Sequence, residues 1–243
     1  MALPKFNDIP IYELTIPSTG QKVSYRPFLV KEQKVLLMAL ESRDDKQILN
    51  AIVNTLQACI QDPIDIARLS TFDVEYIFIQ IRTKAAGETS NIGLMCQSCE
   101  HINEVKVNLE DIKMDLPKEK PAIKLNDQYT LMLKYPQYES LLDEALSEES
   151  TIVSQMYTVI IACLDSLNTE EERISFRDET PEEIEEFLNQ LSTSQFDQIM
   201  EFINDLPRLR HGVDFICSEC NSENNRVLEG ITDFFQSPSL MRR

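Results

Sequence analysis

Two Cys-x-x-Cys pairs, Cys96/Cys99 and Cys217/Cys220, are the residues of this chain whose type and spacing best suit chemistry. A two-residue gap lets a tight turn aim both thiolates at one ion, and two such turns complete a tetrahedral set of four sulfurs. Thiolates favour zinc over hard cations such as magnesium or calcium. Each pair sits in similar surroundings. Apolar residues lead in (Gly93, Leu94, Met95; Phe215, Ile216), polar residues follow, and an apolar-containing extension comes next (Val105, Val107, Leu109; Val227, Leu228). The expectation is a weakly repeated zinc knuckle, with one structural Zn2+ held by Cys96, Cys99, Cys217 and Cys220. More than a hundred residues separate the pairs, but loop entropy grows only logarithmically with length. A closed four-thiolate site leaves no coordination position for water, so such a metal stabilises and does not catalyse.

Other readings of the same cysteines stay open. They are reduced thiols without metal, a degenerate ribbon that keeps its shape unaided, or the ligands of an iron–sulfur cluster, which also uses four thiolates. A redox Cys-x-x-Cys belongs at a helix N-terminus in a βαβ unit, and neither pair has that context. The two histidines, His101 and His211, lie near the knuckles and offer substitute ligands. Cys59 and Cys163 fall on apolar helical faces, where cysteine is usually a small core side chain.

The elements that must position these residues are short and mixed. Residues 11–16 (IYELTI) and 21–26 (QKVSYR) flank Pro17-Ser18-Thr19-Gly20 and read as a hairpin. Residues 31–42 read as a helix. Asp44 with Gln47 opens another in a capping box, whose apolar stripe is Ile48, Ile52, Leu56 and Cys59. Ser70 is placed to cap a third, carrying Val74, Ile77, Phe78 and Ile81 up to a stop at Gly87. Pro117 and Pro121 mark a linker, and 123–125 with 129–133 read as a second hairpin around Asn126-Asp127. Ile152, Val153, Met156, Ile160, Cys163, Leu164 and Leu167 predict one wide helical face. Capping boxes at Thr180/Glu183 and Ser192/Gln195 open the last two helices.

The fold class expected is α+β and mainly helical, with an N-terminal hairpin and a split zinc-ribbon-like β element around a helical insertion. The divisions are 1–30 (hairpin), 31–87 (helical), 88–110 (first knuckle), 111–206 (mainly helical insertion), 207–235 (second knuckle) and 236–243 (tail).

At 243 residues, 42% apolar and 26% charged, the chain is long enough to bury a core. Its net charge of −18 repels phosphate backbones and anionic membranes and suits protein partners. Only five glycines argue against a glycine-rich nucleotide site. No signal peptide or membrane-spanning apolar run is read, so a cytoplasmic location with reduced thiols is expected. The acidic runs Glu170–Glu172 and 178–186 read as helix-start and solvated carboxylates rather than an acid–base pair. Arg208, Arg210 and His211 form a basic island read as positioning the second knuckle; Arg242-Arg243 end the chain. No serine–histidine–aspartate context, P-loop or dinucleotide fingerprint appears, and no enzyme is expected.

Several strings of the chain resemble one known family. They are residues 25–42 (YRPFLVKEQKVLLMALES), 72–84 (FDVEYIFIQIRTK) with Gly87-Glu88, Gln195-Phe196, Pro207 to His211, and 228–235 (LEGITDFF). Together they are similar to a baseplate protein family of T4-like contractile-tailed phages. The resemblance implies a baseplate hub subunit or hub-assembly chaperone. Its partners are then other baseplate or hub proteins, with self-association open, and its location the host cytoplasm during assembly or the virion tail baseplate. The zinc expectation rests on this sequence and not on the family. Two further function classes meet obstacles in the sequence. A zinc-ribbon nucleic-acid or transcription factor needs a basic face, which −18 opposes. A metal-dependent hydrolase needs an open zinc position and a base.

Overall fold

The computed structural model describes residues 9–42, 44–114, 122–141 and 151–233. The linker expected at Pro117 and Pro121, the end of the last family string at Phe234-Phe235 and the tail lie outside the described residues. In chain order the first elements are β1 (Tyr12–Thr15), β2 (Lys22–Tyr25), α1 (Val30–Ser42), α2 (Asp45–Cys59) and α3 (Thr71–Ala86). Strands β3 (Thr89–Met95), β4 (Ile102–Asn108), β5 (Lys113–Met114), β6 (Ala122–Lys124) and β7 (Thr130–Leu133) follow. Then come α4 (Ile152–Cys163), β8 (Leu164–Asn168), β9 (Arg173–Ser175), α5 (Pro181–Asn189) and α6 (Thr193–Asn204). Strands β10 (Leu209–Ile216) and β11 (Glu223–Glu229) and a short α7 (Gly230–Asp233) end the described chain.

These elements fall into two compact units, one drawn from Met1–Ile66, Phe72–Leu116 and Pro207–Arg243, the other from Ala67–Thr71 and Pro117–Leu206. In the first unit β1 and β2 pair antiparallel, Tyr12 opposite Tyr25, around the expected turn. Gly20 supplies its positive φ of 69°, a conformation that side chains with a Cβ resist. The fully buried Asp73 of α3 accepts from the Ser18 backbone N–H at 2.9 Å, fixing that turn against the helix. Val74, Ile77, Phe78, Ile79 and Ile81 of α3 are all buried. Their spread over most of the helix circumference marks α3 as an interior helix. Glu32 reaches back to the Leu29 N–H at 2.8 Å, closing the first turn of α1, and pairs with Arg26 at 2.9 Å. At Asp44 the expected box takes a variant form, with both the Gln47 N–H and its side-chain amide donating to the Asp44 carboxylate.

The second unit packs α4, α5 and α6 with one four-stranded antiparallel sheet, ordered β6-β7-β8-β9. Its core holds Ile123, Leu131, Leu133, Ile160, Cys163, Leu164, Ile184, Leu188 and Ile199. The capping boxes at Thr180/Glu183 and Ser192/Gln195 are both formed.

The mainly helical fold class is corrected: the protein is a mixed α+β chain, 44% helix and 28% strand, with four small antiparallel sheets among the described residues. The largest source of the difference is the α4 face. Its apolar spacing runs on through Leu164 and Leu167, yet the helix stops at Cys163 and the chain enters β8 directly. Leu164 and Ser166 are buried in alternation, the period of a strand. By pairing with β7 (Leu131↔Leu167, Leu133↔Leu164) and β9 (Leu167↔Ile174), this stretch satisfies backbone groups along both strands. The segment between the knuckles therefore carries strands β5 to β9 as well as helices α4 to α6.

Candidate metal centre

Each cysteine pair occupies the turn of one hairpin. β3 pairs with β4, Met95 opposite Ile102, and β10 pairs with β11, Ile216 opposite Glu223. In the first turn the Cys96 N–H donates to the His101 carbonyl at 2.8 Å, and the Glu100 N–H returns to the Cys96 carbonyl at 3.1 Å. In the second, the Cys217 N–H donates to the Ser222 carbonyl at 2.9 Å and the Asn221 N–H to the Cys217 carbonyl at 3.0 Å. Glu100 and Asn221 both take positive φ, 60° and 57°. That left-handed residue after the second cysteine turns the chain back so that both sulfurs of a knuckle point the same way.

The knuckles face each other. Cys96 Sγ lies 3.7 Å from Cys220 Sγ, and Cys99 Sγ lies 3.6 Å from Cys217 Sγ. All four sulfurs lie within 4.8 Å of one another. Zinc–sulfur bonds of ~2.3 Å in a regular tetrahedron give a sulfur–sulfur edge of about 3.8 Å. The donor set is thus compatible with a single zinc ion. Cys96 and Cys217 are buried and Cys99 and Cys220 exposed, so the cluster has an inner and an outer pair.

Hydrogen bonding sets the thiols apart. The Ser222 hydroxyl, 3.4 Å away, does most to pull the Cys96 thiol down to about 5, against burial and with help from the Ser98 and Cys99 N–H groups. Cys217 is lowered chiefly by the Cys220 N–H, again against burial, with the Glu219 N–H and the Asn103 amide adding to it. Cys99 moves the other way. The His101 backbone pulls it down, but its contact with Cys220, burial and its other sulfur neighbours push it up to about 12. Thiols crowded this closely resist carrying charge together. A bound cation reverses that and deprotonates its sulfur ligands outright.

The four expected cysteines are thus brought together from two distant segments. Neither histidine joins the potential ligand group found among the described residues. His101 contributes its backbone carbonyl, and His211 lies in β10 opposite Leu228. Arg210 forms an ion pair with Glu229 across β10 and β11 at 3.1 Å. Cys59 and Cys163 are buried core thiols, pushed up to about 11 and about 12 by burial. Glu170–Glu172 lie exposed in the turn before β9. Asn103, Asn224 and Ser222, which surround the sulfurs, are absent from the motif reading. A repeated Cys-x-x-Cys-x-x-x-Asn was the available signal.

Fold and site together define an α+β protein whose distinctive element is a facing pair of cysteine knuckles. Residues 9–236 match the family described as T4 bacteriophage base plate protein, and the chain belongs to that family. Its class is a structural protein of the phage baseplate, which works in contact with other phage structural proteins. Comparison with curated proteins and with solved structures finds no match. No helix among the described residues is long and apolar enough to cross a membrane.

Proposed function

We propose that this baseplate protein acts at the tail hub, as a hub subunit or a hub-assembly chaperone, through protein–protein contacts. In this reading Cys96, Cys99, Cys217 and Cys220 hold one structural Zn2+. The observation that carries the metal assignment is the spacing of four sulfurs within 4.8 Å, contributed by two hairpins. An iron–sulfur cluster interposes irons and inorganic sulfides between its cysteines, and sulfurs this close favour a single ion instead. Bound by four thiolates, zinc supplies a cross-link and no open Lewis-acid position. The hub assignment is supported by family membership together with the strings at 25–42, 72–84 and 228–235.

The test is co-expression of the tagged chain with the phage tail genes, affinity capture, and metal analysis of the product. A hub component is expected to be retained, with about one zinc per chain. Cys96→Ser or Cys217→Ser is expected to release the metal and lower the melting temperature, because a structural metal contributes folding free energy. Capture of no tail protein overturns the hub role. A serine variant with full metal content and unchanged melting overturns the shared site.

A further inference from the structure

The knuckles correspond residue for residue: Cys96 with Cys217, Cys99 with Cys220, Glu100 with Asn221, His101 with Ser222, and Asn103 with Asn224. Strands β4 and β11 begin at matching positions after them. The sulfur contacts obey the same exchange, Cys96 to Cys220 and Cys217 to Cys99. The two hairpins are therefore related by a local pseudo-twofold.

Across that axis lies a reciprocal pair of hydrogen bonds. The Ser218 N–H donates to Asn103 Oδ1 at 2.9 Å, and the Gln97 N–H donates to Asn224 Oδ1 at 2.9 Å. Each asparagine then donates through Nδ2 to its own turn, Asn103 to the His101 carbonyl at 3.1 Å and Asn224 to the Ser222 carbonyl at 2.9 Å. Both side chains are buried, at 6% and 4% exposure. A buried amide satisfied on both sides is a strong and selective contact, while an orphaned one is costly.

We propose that Asn103 and Asn224 dock the two knuckles on each other independently of any metal, so that the four sulfurs are preorganised before an ion binds. The metal half of this inference rests on the zinc reading above; the docking half does not. The four bonds named above involve no sulfur, and the Ser218 hydroxyl adds a fifth such bond to Asn103 Oδ1 at 3.0 Å, so the hairpins stay in register whatever occupies the site. Without them, a metal has to gather two distant hairpins itself and loses affinity to that ordering. The pair is not wholly symmetric. Asn103 Nδ2 also lies 3.6 Å from Cys217 Sγ, whereas Cys96 Sγ takes its side-chain contact from the Ser222 hydroxyl.

Residue-resolved amide hydrogen exchange on the full chain, loaded with zinc and after chelation, tests this. The Gln97 and Ser218 amides are expected to stay protected in both states. Asn103→Ala should expose Ser218 and Asn224→Ala should expose Gln97, a crossed pattern that general loosening does not produce. In competition with a chromophoric chelator, each alanine variant should bind zinc about 10–100-fold more weakly, the usual loss when a group supporting metal ligands is removed. Asn103→Asp keeps the acceptor for Ser218 but replaces the Nδ2 donor by a carboxylate oxygen facing the His101 carbonyl and Cys217, so it should protect the Ser218 amide more than Asn103→Ala does without restoring zinc affinity. Loss of protection at Gln97 and Ser218 on chelation of the wild-type chain overturns the proposal, even if every variant fails to fold. A wild-type chain that binds no zinc yet keeps both amides protected overturns the zinc reading and leaves the docking intact.

Discussion

Replacing Glu75 by glutamine removes a charge that the first unit holds at a cost. The Glu75 side chain extends from α3 to the start of β10, where its Oε2 accepts from the Leu209 N–H at 3.1 Å. Its Oε1 lies so near Gly230 that a Cβ there would approach within 3.2 Å. Burial raises its carboxyl from 4.5 to about 7, opposed by the Leu209 hydrogen bond and Arg208 and assisted by Glu229. Below 4.5 the folded and unfolded chains both hold the proton. Between 4.5 and about 7 only the folded chain does, so stability falls as pH rises through that window. Above it the accumulated penalty is about 3 kcal/mol. Glutamine keeps an oxygen acceptor for Leu209 and carries no charge. At pH 8 the Glu75→Gln chain should therefore melt roughly 6–12 °C higher, with the gain vanishing near pH 4.5. Thermal unfolding of both chains across that range decides the matter. A variant no more stable at pH 8, or one stabilised equally at both ends, refutes the argument from burial.

The other predictions concern different parts of the chain. Glu32→Gln leaves the Arg26 guanidinium, only 13% exposed, without its counter-charge, at a cost of about 3 kcal/mol in urea unfolding. Burial alone would raise the Glu32 carboxyl, but hydrogen bonds from Arg26, Leu29 and Lys31 outweigh it and lower the pKa. The pair's contribution is therefore present above the ordinary carboxylate range and lost as pH falls through the lowered value. The difference between variant and wild type should shrink in acid. Thr180→Ala removes the capping box of α5 and should cost about 1 kcal/mol. Metal analysis of that variant should match wild type, since the cysteines belong to the other unit.

The legible parts of this chain were those fixed by local chemistry. The turn at Pro17–Gly20, the boxes at Thr180 and Ser192, and the Ile48, Ile52, Leu56, Cys59 stripe depend on neighbours a few residues away, and all formed. The pairing of the knuckles was legible because thiolate spacing implies a shared focus even across a long insertion. Strands β8 and β9 were not. Leu164 and Leu167 satisfy both a helical face and a short strand, and the choice was made by β7, whose backbone groups needed partners. The role of the asparagines is hidden in the sequence for a related reason. A buried amide is identified by what it meets, and Asn103 meets Ser218 from the far end of the sequence.

The two units also differ in when their chain becomes available. All of the second unit ends at Leu206, whereas the first waits for β10 and β11. Cys99 and Cys217 are 118 residues apart. At the usual ribosomal pace of ~5–20 residues per second, the first knuckle emerges roughly 6–24 seconds before the second. During that interval its thiols stand without their counterparts, while the intervening unit is synthesised and completed at Leu206, before Cys217 is reached. Synthesis thus favours an order in which the inserted unit matures first and the sulfur cluster closes last.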